Sequence, residues 1–401
     1  MVRYRIFAAI AASVLTINLA FGLVANAATT VPSQYLPTPV GGEFYIPATG
    51  YETTAPGTIL KSREVTTANL TDVDIKSYQM LVRTTDSKNQ PTATVSTLIV
   101  PTAAWTGEGS RPVMDYSMAE DSLGLKCATS YTLANGEAGE RDYAAYALEK
   151  GYAFLTTDHE GPKAAYAAGR LAGQSVLDGI RAAKQLPQGG VAADAPVVVA
   201  GYSGGAIAAG WATQLAPTYA PDIALKGAII GGTPADMELI AKRMNGSIGS
   251  SYFLAASFGV GREYPELLEH LNFLGKNVAK TVKDFCKQDL TYAGILTVPL
   301  QTLTSWNIFS KPDVKAIFKD VSLGNYTPNI PVYAYHGNID EFMPLDGVKN
   351  LKQKWCSAGV QMSLDTPLGG HVIGEITGRA SALQQATAFL EGDGQLIKPS
   401  C

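Results

Sequence analysis

Charge is scarce in this chain. Asp, Glu, Lys and Arg make up only 16% of 401 residues, against about a quarter in an average protein. The 31 Lys+Arg and 35 Asp+Glu nearly cancel, and a net charge of −4 gives no basic footprint for nucleic acid. Histidine and cysteine are scarcer still, at four each. No CxxC pair or Cys/His cluster suggests a metal site, so neither metal nor cofactor is expected. No G-X-Y or heptad period is present, which excludes collagen-like and coiled-coil proteins. Internal repeats and low-complexity tracts are also missing. What is there is 46% apolar residues and 40 glycines, a composition too hydrophobic for disorder and sufficient for a large core.

Only one run is long and apolar enough to concern a membrane. Arg3 and Arg5 precede an apolar stretch from Ile6 to Val24, and Ala25-Asn26-Ala27 follows as a small-x-small cleavage pattern. This describes a secretory signal peptide over residues 1–27, with residues 28–401 as the catalytic domain. A permanent anchor is the rival, since 19 residues nearly span a bilayer. We expect cleavage, no membrane span afterwards, and a secreted, monomeric protein. Cys127, Cys286, Cys356 and Cys401 then sit in an oxidising compartment and read as two disulfides, with three pairings possible.

Residues 29–56 are rich in Pro, Gly, Thr and Tyr and read as an arm lying across the domain. Strands are expected at 58–65, 77–85, 92–100, 112–118 and 152–157. An Ala-rich helix follows at 162–186, then a strand at 197–200, a helix at 206–215 and a strand at 227–231. The alternation argues for a parallel α/β sheet. It stops at about 233–329, where amphipathic pieces (236–244, 264–274, 278–285) and apolar runs (251–259, 295–303) read as a mostly helical insertion. Strands at 331–336 and 360–364 and a closing helix at 381–390 complete the pattern.

The chemistry starts at Gly201-Tyr202-Ser203-Gly204-Gly205. This is G-x-S-x-G set directly between a strand and a helix, the context that makes a nucleophile elbow of it. Small residues at 201 and 205 let strand and helix close on each other, and the helix N-terminus favours negative charge beside the serine. Serine needs a base, and the order nucleophile–acid–histidine leaves His270, His336 and His371. His270 lies between charged residues on a helix and reads as surface. His336 opens H-G-x-x-D at a strand end, where Asp340 is the acid and His336 its support; Glu341 and Asp346 are rivals for that role. Gly369-Gly370-His371 follows one strand later, with the glycines letting a loop bring the imidazole over Ser203. Ser203 is then the nucleophile, His371 the general base and Asp340 its orienting partner. The Gly204 N–H, just after the nucleophile, is one oxyanion donor.

Five further stretches carry a resemblance: Met118-Ala119-Glu120-Asp121-Ser122, the 126–131 segment around Cys127, Thr157–Ala165 (T-D-H-E-G-P-K-A-A), Leu177–Ala182 (L-D-G-I-R-A) and Gly201–Ala206. Together they resemble the secretory lipase family of fungi and actinobacteria, typified by Candida antarctica lipase A, over nearly the whole chain after residue 27. The resemblance implies an α/β-hydrolase fold with a helical cap inserted between nucleophile and acid, and hydrolysis of carboxylic esters, triacylglycerols included. It places the triad on Ser203, Asp340 and His371 and the oxyanion hole on Asp121 and Gly204. It pairs Cys127 with Cys286 and Cys356 with Cys401. Family members continue past the last cysteine into a flap over the active site, whereas this sequence stops at Cys401, which leaves gating and acyl preference open.

Asp121 poses a physical puzzle, because a carboxylate beside a forming oxyanion repels it. Either its backbone N–H is the donor, with the side chain held elsewhere, or the side chain is protonated; we expect the backbone donor. In the insertion, the apolar runs are expected to be ordinary cap core; the sharper alternative is that some positions in 251–260 line an acyl tunnel, in which case Ala255→Phe or Ala256→Phe shortens the preferred chain. Asp158 and His159 read as strand-end support, and Asp178 with Arg181 as a surface or half-buried helix pair. Asn69, Asn245 and Asn325 head glycosylation sequons. The Gly-containing segments 246–250 and 259–262 read as turns. The expected function is a secreted serine hydrolase acting on a lipid or ester at an oil–water interface, as a triacylglycerol lipase. The alternatives are an esterase for short or polymeric esters and, more remotely, a non-catalytic binding module on a hydrolase fold.

Overall fold

A computed structural model of the chain describes residues 30–401, apart from 68, 138, 399 and 400, and at 295 the backbone alone. The expected signal peptide, residues 1–27, lies outside the described residues.

Nine strands form one sheet: β1 (Ile59–Val65), β2 (Ile75–Thr85), β3 (Pro91–Pro101), β4 (Val113–Ser117), β5 (Ala153–Thr157), β6 (Val197–Tyr202), β7 (Leu225–Gly231), β8 (Val332–Tyr335) and β9 (Met362–Asp365). Their spatial order is β1-β2-β3-β5-β4-β6-β7-β8-β9. The first three run antiparallel and join β5 antiparallel; from β5 to β9 all neighbours are parallel. The sequences explain the positions. Every residue of β4 and β6 is buried, as a strand covered on both faces requires, whereas β1 alternates toward solvent at the sheet edge.

Helices α1 (Thr129–Ala134), α2 (Arg141–Glu149), α3 (Gly169–Gln185) and α4 (Gly204–Tyr219) flank the first half. The insertion between β7 and β8 carries α5 (Met237–Met244), α6 (Ser250–Glu263), α7 (Glu266–Glu269), α8 (Phe273–Val282), α9 (Lys287–Ala293), α10 (Leu300–Leu303) and α11 (Pro312–Val321), and α12 (Leu345–Ser357) and α13 (His371–Glu391) close the chain. Side chains of α3, α4 and α12 pack into the core on one face of the sheet, and those of α2 and α13 into the core on the other. This is the doubly covered architecture of an α/β-hydrolase, with a helical insertion between the strands that carry nucleophile and acid. Among the described residues no helix is long and apolar enough to cross a membrane.

Local expectations fail at four places, each for a physical reason. The segment 162–168 is turns rather than helix: Ala164 and Ala167 take left-handed backbone (φ 44° and 66°), and α3 starts at Gly169. The expected helix 264–274 is broken in two, with Asn272 capping α8 by accepting the Gly275 N–H. The segment 259–262 is not a turn but the last part of α6, where Gly259 lets the helix approach the Tyr166 backbone. The final helix starts ten residues early, at His371.

Disulfides join Cys127 to Cys286 and Cys356 to Cys401, the pairing the resemblance implied. The first ties the segment after β4 to the insertion across 159 residues, a loop closure worth about 5 kcal/mol at most in the chain-entropy picture. Arg262 ties the same parts together without a carboxylate. It is 2% exposed and donates to five backbone carbonyls: Tyr35 in the N-terminal arm, Leu123 after β4, Lys163 and Ala164 before α3, and Lys283 after α8. Replacing it leaves those buried acceptors unpaired. Arg262→Met is therefore expected to lower the unfolding free energy by about 4 kcal/mol or more. A urea titration reads this as a lower midpoint at unchanged slope, and an unchanged midpoint contradicts it.

Candidate active site

The site lies at the carboxyl ends of the parallel strands, where open α/β sheets place their crevice. Ser203 follows β6 in a backbone conformation (φ 53°, ψ −121°) that an L-residue rarely adopts. Its N–H donates to the Gly231 carbonyl at 2.9 Å, and its carbonyl accepts from Ala206 N–H at 2.9 Å. A Cβ on Gly205 would stand 1.9 Å from the Ser117 carbonyl oxygen, and one on Gly201 2.4 Å from the Gly205 oxygen, so both positions exclude any side chain. Tyr202 faces the other way, and its hydroxyl donates to the His371 carbonyl at 2.6 Å.

His371 comes from the first turn of α13. Its Nδ1–H donates to Asp340 Oδ2 at 2.7 Å, which leaves Nε2 as the acceptor for the Ser203 hydroxyl at 2.8 Å. Asp340 Oδ1 in turn accepts the backbone N–H groups of Phe342 and Met343. Burial works against its charge, but His371, the Met343 N–H and His336 outweigh this and hold the carboxyl below its usual range. His336 is fully buried, with Nε2 donating to the Met343 carbonyl and 3.5 Å from Asp340 Oδ2; burial lowers its basicity. Glu341, the rival acid, instead accepts the His371 backbone N–H at 2.9 Å, a carboxylate at a helix N-terminus. Asp346 is exposed in the first turn of α12.

The segment after β4 carries Asp121, and the segment after β5 receives it. His159 Nε2 donates to the Met118 carbonyl, Glu160 accepts the Ser122 N–H and hydroxyl, and Asp158 accepts the Ser130 N–H and hydroxyl. Glu120 accepts from the Thr129 hydroxyl. Asp158 and His159 thus act as strand-end support, as the sequence suggested. Burial raises Glu120 and Glu160 well above the usual carboxyl range, helped by Glu160 and Asp158 beside the first and by Asp121 beside the second, and burial pushes Asp158 up to about 7. The Asp121 carboxylate turns to Lys287, 3.3 Å from Nζ. Lys287 carried no signal in the sequence beyond standing next to a cysteine. Burial works against its charge, but Asp121 and Glu140 raise it above the usual lysine range. Asp178 is wholly buried and accepts from Arg181, Thr84 and Tyr219, which makes that pair an internal support of α3 and β2.

A pocket with a largely apolar wall holds Ser203, His371, Asp121, Lys287, Glu140 and Glu375. A small apolar cavity of about 70 Å³ lies beside it in the insertion, and Tyr166, Met244, Tyr252 and Met343 line both. Ala256 and Phe253 are on its wall, but Ala255 is not: it is 1% exposed and packs inside the core.

This sheet, with a serine elbow at β6 and a helical insertion after β7, defines a protein of the α/β-hydrolase fold. The secretory lipase family matches residues 140–396. The secreted triacylglycerol lipase LIP1 of Malassezia furfur is 32% identical over 363 residues, covering 84% of this chain and 73% of that protein. Lipase 4 of Candida albicans is 35% identical over 377 residues, covering 87% and 81%. The closed-state X-ray structure of Candida antarctica lipase A superimposes with a TM-score of 0.81 at 28% identity, over 93% of this chain and 89% of that one. The chain belongs to the secretory lipase family.

The buried carboxyls give a testable pH dependence. Their folded values lie above the unfolded ones, so their contribution to stability is complete below about pH 4 and is lost as pH rises through the folded values. Glu120→Gln keeps the shape and removes the charge. It is expected to raise the thermal midpoint relative to the unmodified chain more at pH 8 than at pH 5, and an equal difference at both would contradict the assignment.

Proposed function

We propose that this chain is a secreted lipase that cleaves triacylglycerol esters through an acyl-enzyme on Ser203. His371 Nε2 takes the Ser203 proton as Oγ attacks the ester carbonyl, and returns it to the leaving alcohol. Asp340 orients the ring and stabilises the imidazolium. The backbone N–H groups of Gly204 and Asp121 receive the oxyanion. Water then enters by the same route and releases the fatty acid. The observation that carries this reading is the hydrogen-bonded serine and histidine in a pocket that shares four lining residues with an apolar cavity of the insertion, a setting suited to an acyl chain.

An oil–water interface as the working place is supported by the first turns of α13. Gly374 and Gly378 face inward against Gly337 and Tyr335, while Val372, Ile373 and Ile376 stand exposed beside Leu368 and Ile339. That is the reverse of an ordinary surface helix. Removal of residues 1–27 on export and action as a monomer complete the proposal.

The test is a p-nitrophenyl ester series of increasing chain length beside a long-chain triacylglycerol emulsion. Turnover is expected to extend to long chains and to jump once emulsion forms. Ser203→Ala should lower kcat by about five orders of magnitude with folding retained. Ala256→Phe should shorten the preferred chain. Retained turnover in Ser203→Ala overturns the mechanism, and turnover confined to dissolved short esters favours the esterase reading.

A further inference from the structure

Lys287 sits where the ester site has most need of a positive charge. It is the first residue of α9, directly after Cys286. The Cys127–Cys286 disulfide and a 2.8 Å bond from Leu123 N–H to the Phe285 carbonyl fasten this helix start to the segment that carries Asp121. From there the ammonium lies 3.3 Å from Asp121 Oδ2 and 3.9 Å from Glu140 Oε1, and donates to the Ala119 carbonyl at 3.4 Å.

Asp121 is 3% exposed and has left-handed backbone (φ 44°). Its second oxygen, Oδ1, packs on Gly204, 1.8 Å from where a Cβ of that residue would stand. The carboxylate is therefore pressed against the residue after the nucleophile. An uncompensated negative charge there opposes the charge that forms on the ester oxygen during attack. The other titratable groups near Asp121 are Glu140 just before α2, His159, Glu160 and Tyr166 from the segment after β5, and Tyr252 from α6. Among the described residues, Lys287 is the cation that pairs with it.

We propose that Lys287 is a positioning residue for ester hydrolysis: it draws the Asp121 carboxylate aside and compensates its charge, so that the Asp121 and Gly204 amides present a favourable field to the oxyanion. This rests on the ester-site reading given above. Lys287 lines the pocket of Ser203 and His371 but not the apolar cavity, and it meets the Asp121 carboxylate rather than the reacting atoms, so its effect is expected on kcat more than on KM. The disulfide beside it acquires a role in holding the charge in place.

The experiment compares Lys287→Met, Lys287→Arg, Asp121→Asn and the double variant Lys287→Met/Asp121→Asn on dissolved p-nitrophenyl butyrate, with Ser203→Ala in parallel. Lys287→Met is expected to lose roughly 10- to 100-fold in kcat at KM within about twofold, somewhat less than a missing oxyanion donor. Lys287→Arg should recover most of the loss, and Asp121→Asn should relieve the Lys287→Met defect, because a neutral side chain needs no counter-charge. Should Lys287→Met not fold, Lys287→Gln carries the same outcomes. Unchanged kcat in the Lys287 variant, or an equal loss with and without Asp121→Asn, overturns the proposal. Turnover surviving in Ser203→Ala defeats the ester-site reading instead.

Discussion

The left-handed turn at Ser203 is the constraint around which the rest is arranged. An L-residue held at φ 53° is disfavoured by about 1–2 kcal/mol, and it persists only where its surroundings over-determine it. Here they do so from both sides. β6 and α4 meet so closely that positions 201 and 205 admit no side chain, and β7 receives the Ser203 N–H. The turn aims Oγ at His371 and sets the α4 N-terminus behind it. It also presses Gly204 against Asp121, so the conformation that exposes the nucleophile also brings a carboxylate close. The Lys287 pair is best understood as the compensation for that closeness.

The remaining groups reach the serine from separate parts of the chain, and each is held by polar contacts in a dry setting. Asp340 rests on two backbone N–H groups and on His336, His371 on Glu341 and Tyr202, and the Asp121 segment on Asp158, His159 and Glu160. The scarcity of charge takes on a meaning here. Glu120, Asp121, Asp158, Glu160 and Asp340 are inside, in the loops at the sheet's carboxyl edge, while large apolar side chains such as Val372 and Ile373 face solvent nearby. Buried acids of this kind need protons or partners to be tolerated, and both occur in this molecule.

Much of the site was legible because its demands are local. G-x-S-x-G and H-G-x-x-D encode backbone geometry within five residues, and only four histidines competed for the base. The helical start of α13 was missed: glycine is a poor helix former, yet Gly374 and Gly378 are helical here since Gly337 and Tyr335 pack where side chains would stand. Ala164 and Ala167 read as helix formers, and only the tertiary path of the chain turns them left-handed. Arg262 and Lys287 could not be recognised at all. The partners of the first come from four distant segments, and the second acquires its neighbours through a disulfide 159 residues long in sequence. Ala255 is cap core, as expected for most of that run, whereas Ala256 lines the apolar cavity, since helical phase decides which of two adjacent alanines faces it.

Covalent trapping addresses the central claim most directly. The chain would be incubated with a p-nitrophenyl alkylphosphonate, which mimics the tetrahedral state of ester attack, and its peptides mapped by mass spectrometry as activity declines. The account predicts one phosphonyl adduct per chain, on the peptide containing Ser203, formed in step with the loss of ester turnover. An adduct on another residue, or full turnover with Ser203 unmodified, would contradict it.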